Sequence, residues 1–219
     1  MAGKTAKGQA AGRSLIEAAI DGMRLSGLAG AGINEIARTS GAPKGSIYHL
    51  FPGGKTQIAC EALQLYSEAV LAFLDEALPA RGSPKARLVA LFEAYANRLE
   101  HGECRRSCAA VAVCTDLDDE LEPIRAKVAG VFARWIDHLA GRFDFIDDRR
   151  RARSFARFVL SSIEGAYLLG RAERSGAPFR EAGRWLGDLA AASFAPAPEL
   201  AHRRPGAGGP RRRQPVRGA

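Results

Sequence analysis

Two short helices joined by a tight turn are predicted by the stretch INEIARTSGAPKGSIYHLF, residues 33–51. The first helix should cover about residues 34–39, and Gly41 supplies the backbone freedom of the turn that follows it. Pro43 stands at the first position of the second helix, where the N–H that proline lacks would have no helical partner. Helices connected in this way are typical of a helix-turn-helix, whose second helix enters the major groove of DNA.

Apolar and polar side chains of this stretch fall on opposite sides of the predicted motif. Ile36 and Ala37 would face the domain core, and Ile47 and Phe51 would support the second helix from behind. On the outer side, backbone amides, cationic groups and hydroxyl groups can contact phosphates, while Gly45 leaves room for base edges. The candidate DNA-binding residues are Asn34, Lys44, Gly45, Ser46, Tyr48, His49 and Lys55.

Helical periodicity continues on both sides of the motif. An amphipathic helix is predicted before it, at about residues 11–25, and a long helix after it, at about 55–78. Further helical patterns lie at roughly 85–101, 120–141, 148–174 and 178–194. Aromatic residues are sparse and alanine, leucine, glutamate and arginine are abundant, which favours helices over sheets. The predicted fold is all-α, with an N-terminal three-helix helix-turn-helix DNA-binding domain and a C-terminal helical bundle for dimerisation and ligand binding.

The formal net charge of +8 over 219 residues is concentrated at the two ends of the chain. It divides into +4 in residues 1–60, −1 in residues 61–195 and +5 in residues 196–219. Such ends favour an anionic partner, although the last segment could equally be a solvated terminus without a role. The predicted divisions are a flexible N-terminal arm (1–10), the DNA-binding domain (11–56), the ligand-binding and dimerisation domain (57–195) and a disordered basic tail (196–219).

The motif closely resembles the TetR/AcrR family of repressors, in which an isoleucine-alanine helix is followed by a glycine turn and a recognition helix rich in aromatic residues. Residues 51–55 (FPGGK), 108–112 (CAAVA) and 163–166 (IEGA) are similar to the LmrA/YxaF-like branch. Gly32 departs from the pattern, because members usually carry a hydroxyl residue there. The resemblance covers the whole chain and implies a homodimer that leaves its palindromic, double-stranded operator when a small-molecule effector binds the C-terminal domain.

An apolar face on the last two helices is the predicted dimer interface. One short recognition helix reads only a few base pairs, so such proteins bind two half-sites as dimers. The resemblance implies that the two helices pair with their copies in a four-helix bundle, although the same face could pack inside the protomer. The candidates are Phe155, Phe158, Val159, Ser162, Ala166, Leu169, Trp185, Leu186 and Leu189.

The effector pocket is expected among large or polarisable side chains of the central helices. The resemblance implies that these helices surround a cavity, whereas aromatic residues at helical spacing are often plain core. The candidates are Phe92, Tyr95, Leu99, Val111, Cys114, Trp135, Leu139 and Tyr167.

The four cysteines are expected to be reduced and mostly buried, because their spacing matches no zinc site. Arg105 and Arg106 lie between Cys104 and Cys108 and could lower a thiol pKa, which leaves a redox-sensing regulator as an alternative. The acidic residues at 116 and 118–120 are interpreted as a helix start rather than a calcium site. No metal and no cofactor are therefore predicted.

The sequence also bears on three other classes of protein: membrane proteins, enzymes and nucleic-acid-binding proteins without sequence preference. No apolar run is long enough to span a bilayer and no signal-peptide core is present, so a cytoplasmic protein without a membrane partner is expected. His49, His101, His138 and His202 lie in separate regions and no nucleophile elbow appears, so an enzyme is not expected. Nucleic-acid binding without sequence preference remains an alternative function. The sequence does not identify the effector, the operator or whether the protein represses or activates transcription.

Overall fold

The computed structural model describes residues 6–118 and 121–194, and over these residues the chain forms helices and turns without a strand. In order, the elements are α1 (Ala6–Ser26), a 3-10 helix (Gly27–Ala31), α2 (Ile33–Ser40), α3 (Lys44–Leu50), α4 (Gly54–Ala77), α5 (Pro84–Arg98), an irregular turn (Leu99–Glu103), α6 (Ala109–Cys114), α7 (Glu122–Arg142), α8 (Arg149–Glu173) and α9 (Ala177–Phe194). The all-α prediction is confirmed.

Two predicted terminal segments differ from the structure or lie outside it. Residues 6–10 of the expected flexible arm are the first part of α1, whose helix-favouring alanines extend the amphipathic pattern toward the N-terminus. Residues 1–5 and the predicted basic tail at 196–219 lie outside the described residues. The short helix α6 was not predicted, because six apolar residues in a row show no helical period.

The helix-turn-helix is formed by α2 and α3, which pack with α1 on one small core. Ile36, Ile47 and Phe51 are buried there, as their spacing predicts. Gly41 ends α2 in the left-handed region with φ 69°, a conformation that glycine adopts without strain. The predicted turn is therefore present, with α3 beginning one residue later than expected.

The backbones of α1 and the 3-10 helix are in direct contact at Gly22 and Gly30. A Cβ built on Gly30 would lie 2.0 Å from the carbonyl oxygen of Gly22, and one built on Gly22 would lie 2.2 Å from that of Gly30. No side chain fits at either position, because such separations are far inside van der Waals contact. The contact fixes how α1 enters the helix-turn-helix.

The helices α1 to α3 form the smaller region of the protein, and α4 to α9 form the larger region. The two regions are connected by the start of α4 and by hydrogen bonds from α1 and the 3-10 helix to the segment around α6. The amide of Ser107 donates to the carbonyl of Arg24 at 2.8 Å, and the Arg24 Nε donates back to the Ser107 carbonyl at 3.1 Å. The amide of Leu28 donates to the carboxylate of Asp116 at 2.6 Å. The place of Asp116 in the acidic run predicted a role at the start of α7, but its carboxylate binds the Leu28 amide instead. Residues 119 and 120 of the same run lie outside the described part.

No helix in the described part of the chain has both the length and the apolar character needed to cross a membrane.

Candidate nucleic-acid interface and internal cavity

The predicted DNA-binding side chains share an exposed surface around α3. Ile47 is fully buried and fixes the rotation of this short helix, so that the positions one and two residues away from it, 45, 46, 48 and 49, face solvent. Tyr48 is 56% exposed, a large fraction for an aromatic side chain. The exposed residues are Asn34, Lys44, Gly45, Ser46, Tyr48, His49 and Lys55.

The neighbouring helix α2 presents a paired rather than a free charge. Arg38 donates to both carboxylate oxygens of Glu35, and this hydrogen bonding lowers the pKa of Glu35 and raises that of Arg38. Gly32 occupies the N-cap of α2 without a side-chain cap, as its position in the motif predicts. The cationic groups of this surface are therefore contributed mainly by α3 and the start of α4.

A small cavity of about 20 Å³ lies in the larger region, between α4, α5, α7 and α8 and beside Cys108, the residue that precedes α6. Three of the predicted pocket residues, Tyr95, Trp135 and Tyr167, line it, together with Tyr66 and Phe73 of α4, which the sequence analysis did not include. Its volume matches about one water molecule. A larger molecule could enter only if these helices moved apart.

The aromatic side chains around this cavity contact one another edge to face. The Tyr95 ring lies 4.8 Å from that of Phe73 and 5.8 Å from that of Tyr167, measured between ring centroids. Trp135 is placed by a hydrogen bond from its Nε1 to the Ser67 hydroxyl at 3.0 Å. Geometries of this kind add specific packing energy to simple burial, so the rings hold one arrangement.

Glu164 of α8 contributes a carboxylate to this mostly aromatic and aliphatic wall, which also includes Arg98. Its Oε2 is sealed from solvent and has no hydrogen-bond partner, while the Cys108 thiol donates to the carboxylate. Burial raises the pKa of Glu164 to about 7, with the Cys108 hydrogen bond acting in the opposite direction. A signal was present in the sequence, because Glu164 interrupts the apolar face formed by Leu160, Ile163 and Tyr167.

Five predicted pocket residues do not line this cavity, and their place in an effector site stays a prediction. Leu99 and Phe92 are buried elsewhere, against Gly170 of α8 and Gly183 of α9 respectively. The others are Leu139, fully buried, Val111, half-buried, and Cys114, exposed. Helical periodicity shows that a side chain turns inward but not which neighbour it meets.

The predicted dimer face is also divided by the structure. Four of its side chains are exposed, namely Phe158, Leu169, Trp185 and Leu189, and Ser162 is half-buried. Four others are buried within the protomer, namely Phe155, Val159, Ala166 and Leu186. Phe155 shows why, because its ring packs against Phe143 and Phe194 of the same chain. Leu168, which was not predicted, is 57% exposed on the same helix.

The four thiols are less buried than predicted, and the pKa shifts do not favour the redox-sensing alternative. Of the four free cysteines only Cys108 is buried, and desolvation raises its pKa well above the usual value. Burial also raises the pKa of Cys60 and Cys114. Arg106 lies 3.5 Å from Asp21, measured between Nε and the carboxylate oxygen, so its charge is directed to α1 rather than to a thiol. The described residues contain no grouping of histidine, cysteine and carboxylate side chains suited to a metal ion.

Comparisons with known proteins agree with one another. The family described as "Transcriptional regulator LmrA/YxaF-like, C-terminal domain" matches residues 84–185. An uncharacterized HTH-type transcriptional regulator of Mycobacterium tuberculosis is 38% identical over 164 residues, which are 72% of this chain and 82% of the relative. The HTH-type transcriptional regulator LmrA of Bacillus subtilis is 26% identical over 80% of this chain and 94% of its own.

Solved structures show the same fold. The regulatory protein TetR from Rhodobacter sphaeroides superposes with a TM-score of 0.68 at 25% identity, covering 80% of this chain and 96% of the other. A TetR transcriptional regulator from Chloroflexus aurantiacus gives a TM-score of 0.70 at 22% identity, covering 85% and 96%.

Proposed function

Because the chain belongs to the TetR family of HTH-type transcriptional regulators and has an LmrA/YxaF-like C-terminal domain, we propose that it is a dimeric repressor released from its operator by a small molecule. The observation that carries the DNA-binding part is the exposure of all seven candidate residues around α3. Lysine and hydroxyl groups there suit phosphates, and Tyr48 and His49 suit base edges in the major groove.

Dimerisation through α8 and α9 is supported by exposed apolar surface. Five of the seven large apolar side chains exposed in the described residues lie on these two helices, with Trp185 at 77%. Soluble proteins rarely leave such a patch uncovered, and a second copy would bury it. The interface we propose consists of Phe158, Leu168, Leu169, Trp185 and Leu189, with Ser162 at its edge.

Release by a ligand is supported by the position of the cavity relative to the smaller region. Its wall includes Tyr66 and Phe73 of α4, the helix that follows directly on the recognition helix. It also includes Cys108, next to the Ser107 that is bonded to Arg24 of α1. A ligand that opens the cavity would shift both connections, and it lowers operator affinity if it binds the shifted state better.

The test of DNA binding is a fluorescence anisotropy titration with DNA from upstream of the protein's own gene, against random DNA of equal length. We expect preference for the upstream DNA to survive at moderate salt, whereas a protein that binds without sequence preference loses both together. Tyr48→Ala should abolish the preference, and Leu25→Ala, an exposed apolar truncation outside the motif, should keep it. Retained preference in Tyr48→Ala would refute the proposed surface.

The test of dimerisation is sedimentation velocity of Trp185→Glu beside Ala129→Glu, which adds the same charge to an exposed position on α7. The first should shift to a monomer with native helix content, because a charge cannot be buried without a partner. The second should stay dimeric. A dimeric Trp185→Glu protein would place the interface elsewhere. A reporter gene under the upstream DNA distinguishes repression from activation.

A further inference from the structure

We propose that the cavity binds an organic cation with an apolar body, whose N–H group donates to Glu164 while its charge lies among the surrounding aromatic rings. The proposal rests on the ligand response proposed above and names the class of effector. It follows from two independent observations, an unpartnered carboxylate oxygen inside the protein and the aromatic character of the walls around it.

The carboxylate of Glu164 has an acceptor position that the protein does not use. Oε2 is buried and has no partner, although the Cys108 thiol donates to the same carboxylate. An ionised carboxylate in such surroundings is costly unless a cation or further donors accompany it. Buried polar groups in native proteins are almost always satisfied, so a persistent exception indicates a partner that arrives from outside.

The walls around Glu164 suit a positive charge. Tyr66, Phe73, Tyr95, Trp135 and Tyr167 all line the cavity, and the faces of aromatic rings attract cations. The protein already uses two of these rings in this way. The Arg24 guanidinium lies 5.8 Å from the Tyr66 ring centroid, and the Arg98 guanidinium lies 4.8 Å from that of Phe73.

The acidic neighbours of Glu164 stay neutral near pH 7, and Arg98 is the other charged side chain that lines the cavity. The groups that sense its charge come from three other helices and from the residue that caps α6. They are Tyr66, Tyr95, Cys108 and Cys114, and burial raises the pKa of each. A cation that binds therefore meets one acid that ionises near pH 7, beside an Arg98 guanidinium that lies over the ring of Phe73.

Entry of a ligand would alter the bond between Glu164 and Cys108. The cavity of about 20 Å³ is too small for an organic cation, so the wall must open. A donor that reaches Oε2 shares the carboxylate with the Cys108 thiol and so shifts the start of α6, where the adjacent Ser107 holds α1 through Arg24. Binding at Glu164 is thereby linked to the position of the DNA-binding region.

The test uses three probes with the same body and different head groups: 4-phenylbutylamine as the ammonium ion, 4-phenylbutanol and 4-phenylbutanoate. Isothermal titration calorimetry of the full chain at pH 8 should show the ammonium ion binding at least about tenfold more tightly than the alcohol, and the anion most weakly. In Glu164→Gln the difference between amine and alcohol should fall to within about twofold. Glu173→Gln, the same change at an exposed position of α8, should keep it.

The pH dependence gives a second readout. The amine prefers ionised Glu164, so its affinity should fall on the order of tenfold from pH 8 to pH 6 in the wild-type protein and stay flat in Glu164→Gln. Equal affinities for amine and alcohol, no binding of the amine, or an unchanged preference in Glu164→Gln would each overturn the proposal.

Operator titrations with the same probes separate this proposal from the repressor function. If the amine binds through Glu164 but leaves operator affinity unchanged, the cavity assignment stands and ligand release fails. If the alcohol releases the operator as well as the amine does, the ligand response stands and the cation assignment fails. If the protein does not bind the operator even when no probe is present, the proposed DNA-binding surface fails and the cavity assignment is unaffected.

Discussion

The surface around α3 and the cavity around Glu164 are built in opposite ways. The first comes from 22 consecutive residues, 34–55, and all of its candidate side chains are exposed. The second takes side chains from four helices and from Cys108, between Tyr66 and Tyr167, and its carboxylate oxygen is sealed from solvent. A surface made within one motif depends on local structure, whereas a cavity depends on how distant helices pack, so substitutions should affect the two differently.

The largest expected effect contrasts two glycines of the smaller region. Gly30→Ala places a Cβ 2.0 Å from the Gly22 carbonyl oxygen, so the backbone must move. We expect a loss of more than about 3 kcal/mol in the free energy of unfolding, measured by chemical denaturation. Operator binding should be lost together with the fold of this region.

Gly45→Ala is the matched change, because a Cβ on Gly45 meets nothing within 4 Å. Alanine is the better helix former, so stability should rise by about 0.5 kcal/mol while operator affinity falls through lost groove space. A normal melting curve for Gly30→Ala, or undiminished operator affinity for Gly45→Ala, would remove the distinction between the folding role and the contact role of these glycines.

The same contrast explains how far the sequence could be interpreted. The helix-turn-helix was predictable because its signals, Gly41, Pro43 and the buried Ile36 and Ile47, lie within a few residues of one another. The cavity was only partly predictable, since helical periodicity marks inward side chains without naming their partners. Leu99 and Phe92 turn inward as expected but meet glycines of other helices.

The cost of a buried acid provides the next prediction, with Glu164→Gln. The pKa of Glu164 rises from its usual 4.5 to about 7, so the folded protein holds a proton that the unfolded chain has released at neutral pH. The free energy of unfolding therefore falls as pH rises from about 4.5 to about 7 and stays low above that range. The substitution should raise it by about 2 kcal/mol at pH 8 and by little at pH 4, allowing for the burial of the amide.

Denaturation of both proteins at the two pH values checks this stability change, with Glu173→Gln as the exposed control. Equal stability of the wild-type protein and Glu164→Gln at pH 8 would mean that the carboxylate already has a partner. If Glu164→Gln raises the free energy of unfolding only at high pH, the cavity retains an acid that destabilises the folded protein. Such a cost is expected at a binding site and is absent from the α3 surface.

The smallest expected effect tests the connection between the two regions. Asp116 accepts the amide of Leu28 at 2.6 Å, and Leu28 is a buried residue, so Asp116→Ala leaves that N–H without its acceptor. We expect the free energy of unfolding to fall by about 1.5 kcal/mol and hydrogen exchange in the 3-10 helix to become faster.

Asp21→Ala is the control, because it removes a carboxylate that also joins α1 to the α6 segment, through Arg106. This pair is largely exposed and should contribute less than about 1 kcal/mol to the free energy of unfolding. If both variants exchanged alike, the backbone bonds between Arg24 and Ser107 would be sufficient to hold the regions together, and the cavity would act on the recognition helix through α4 instead.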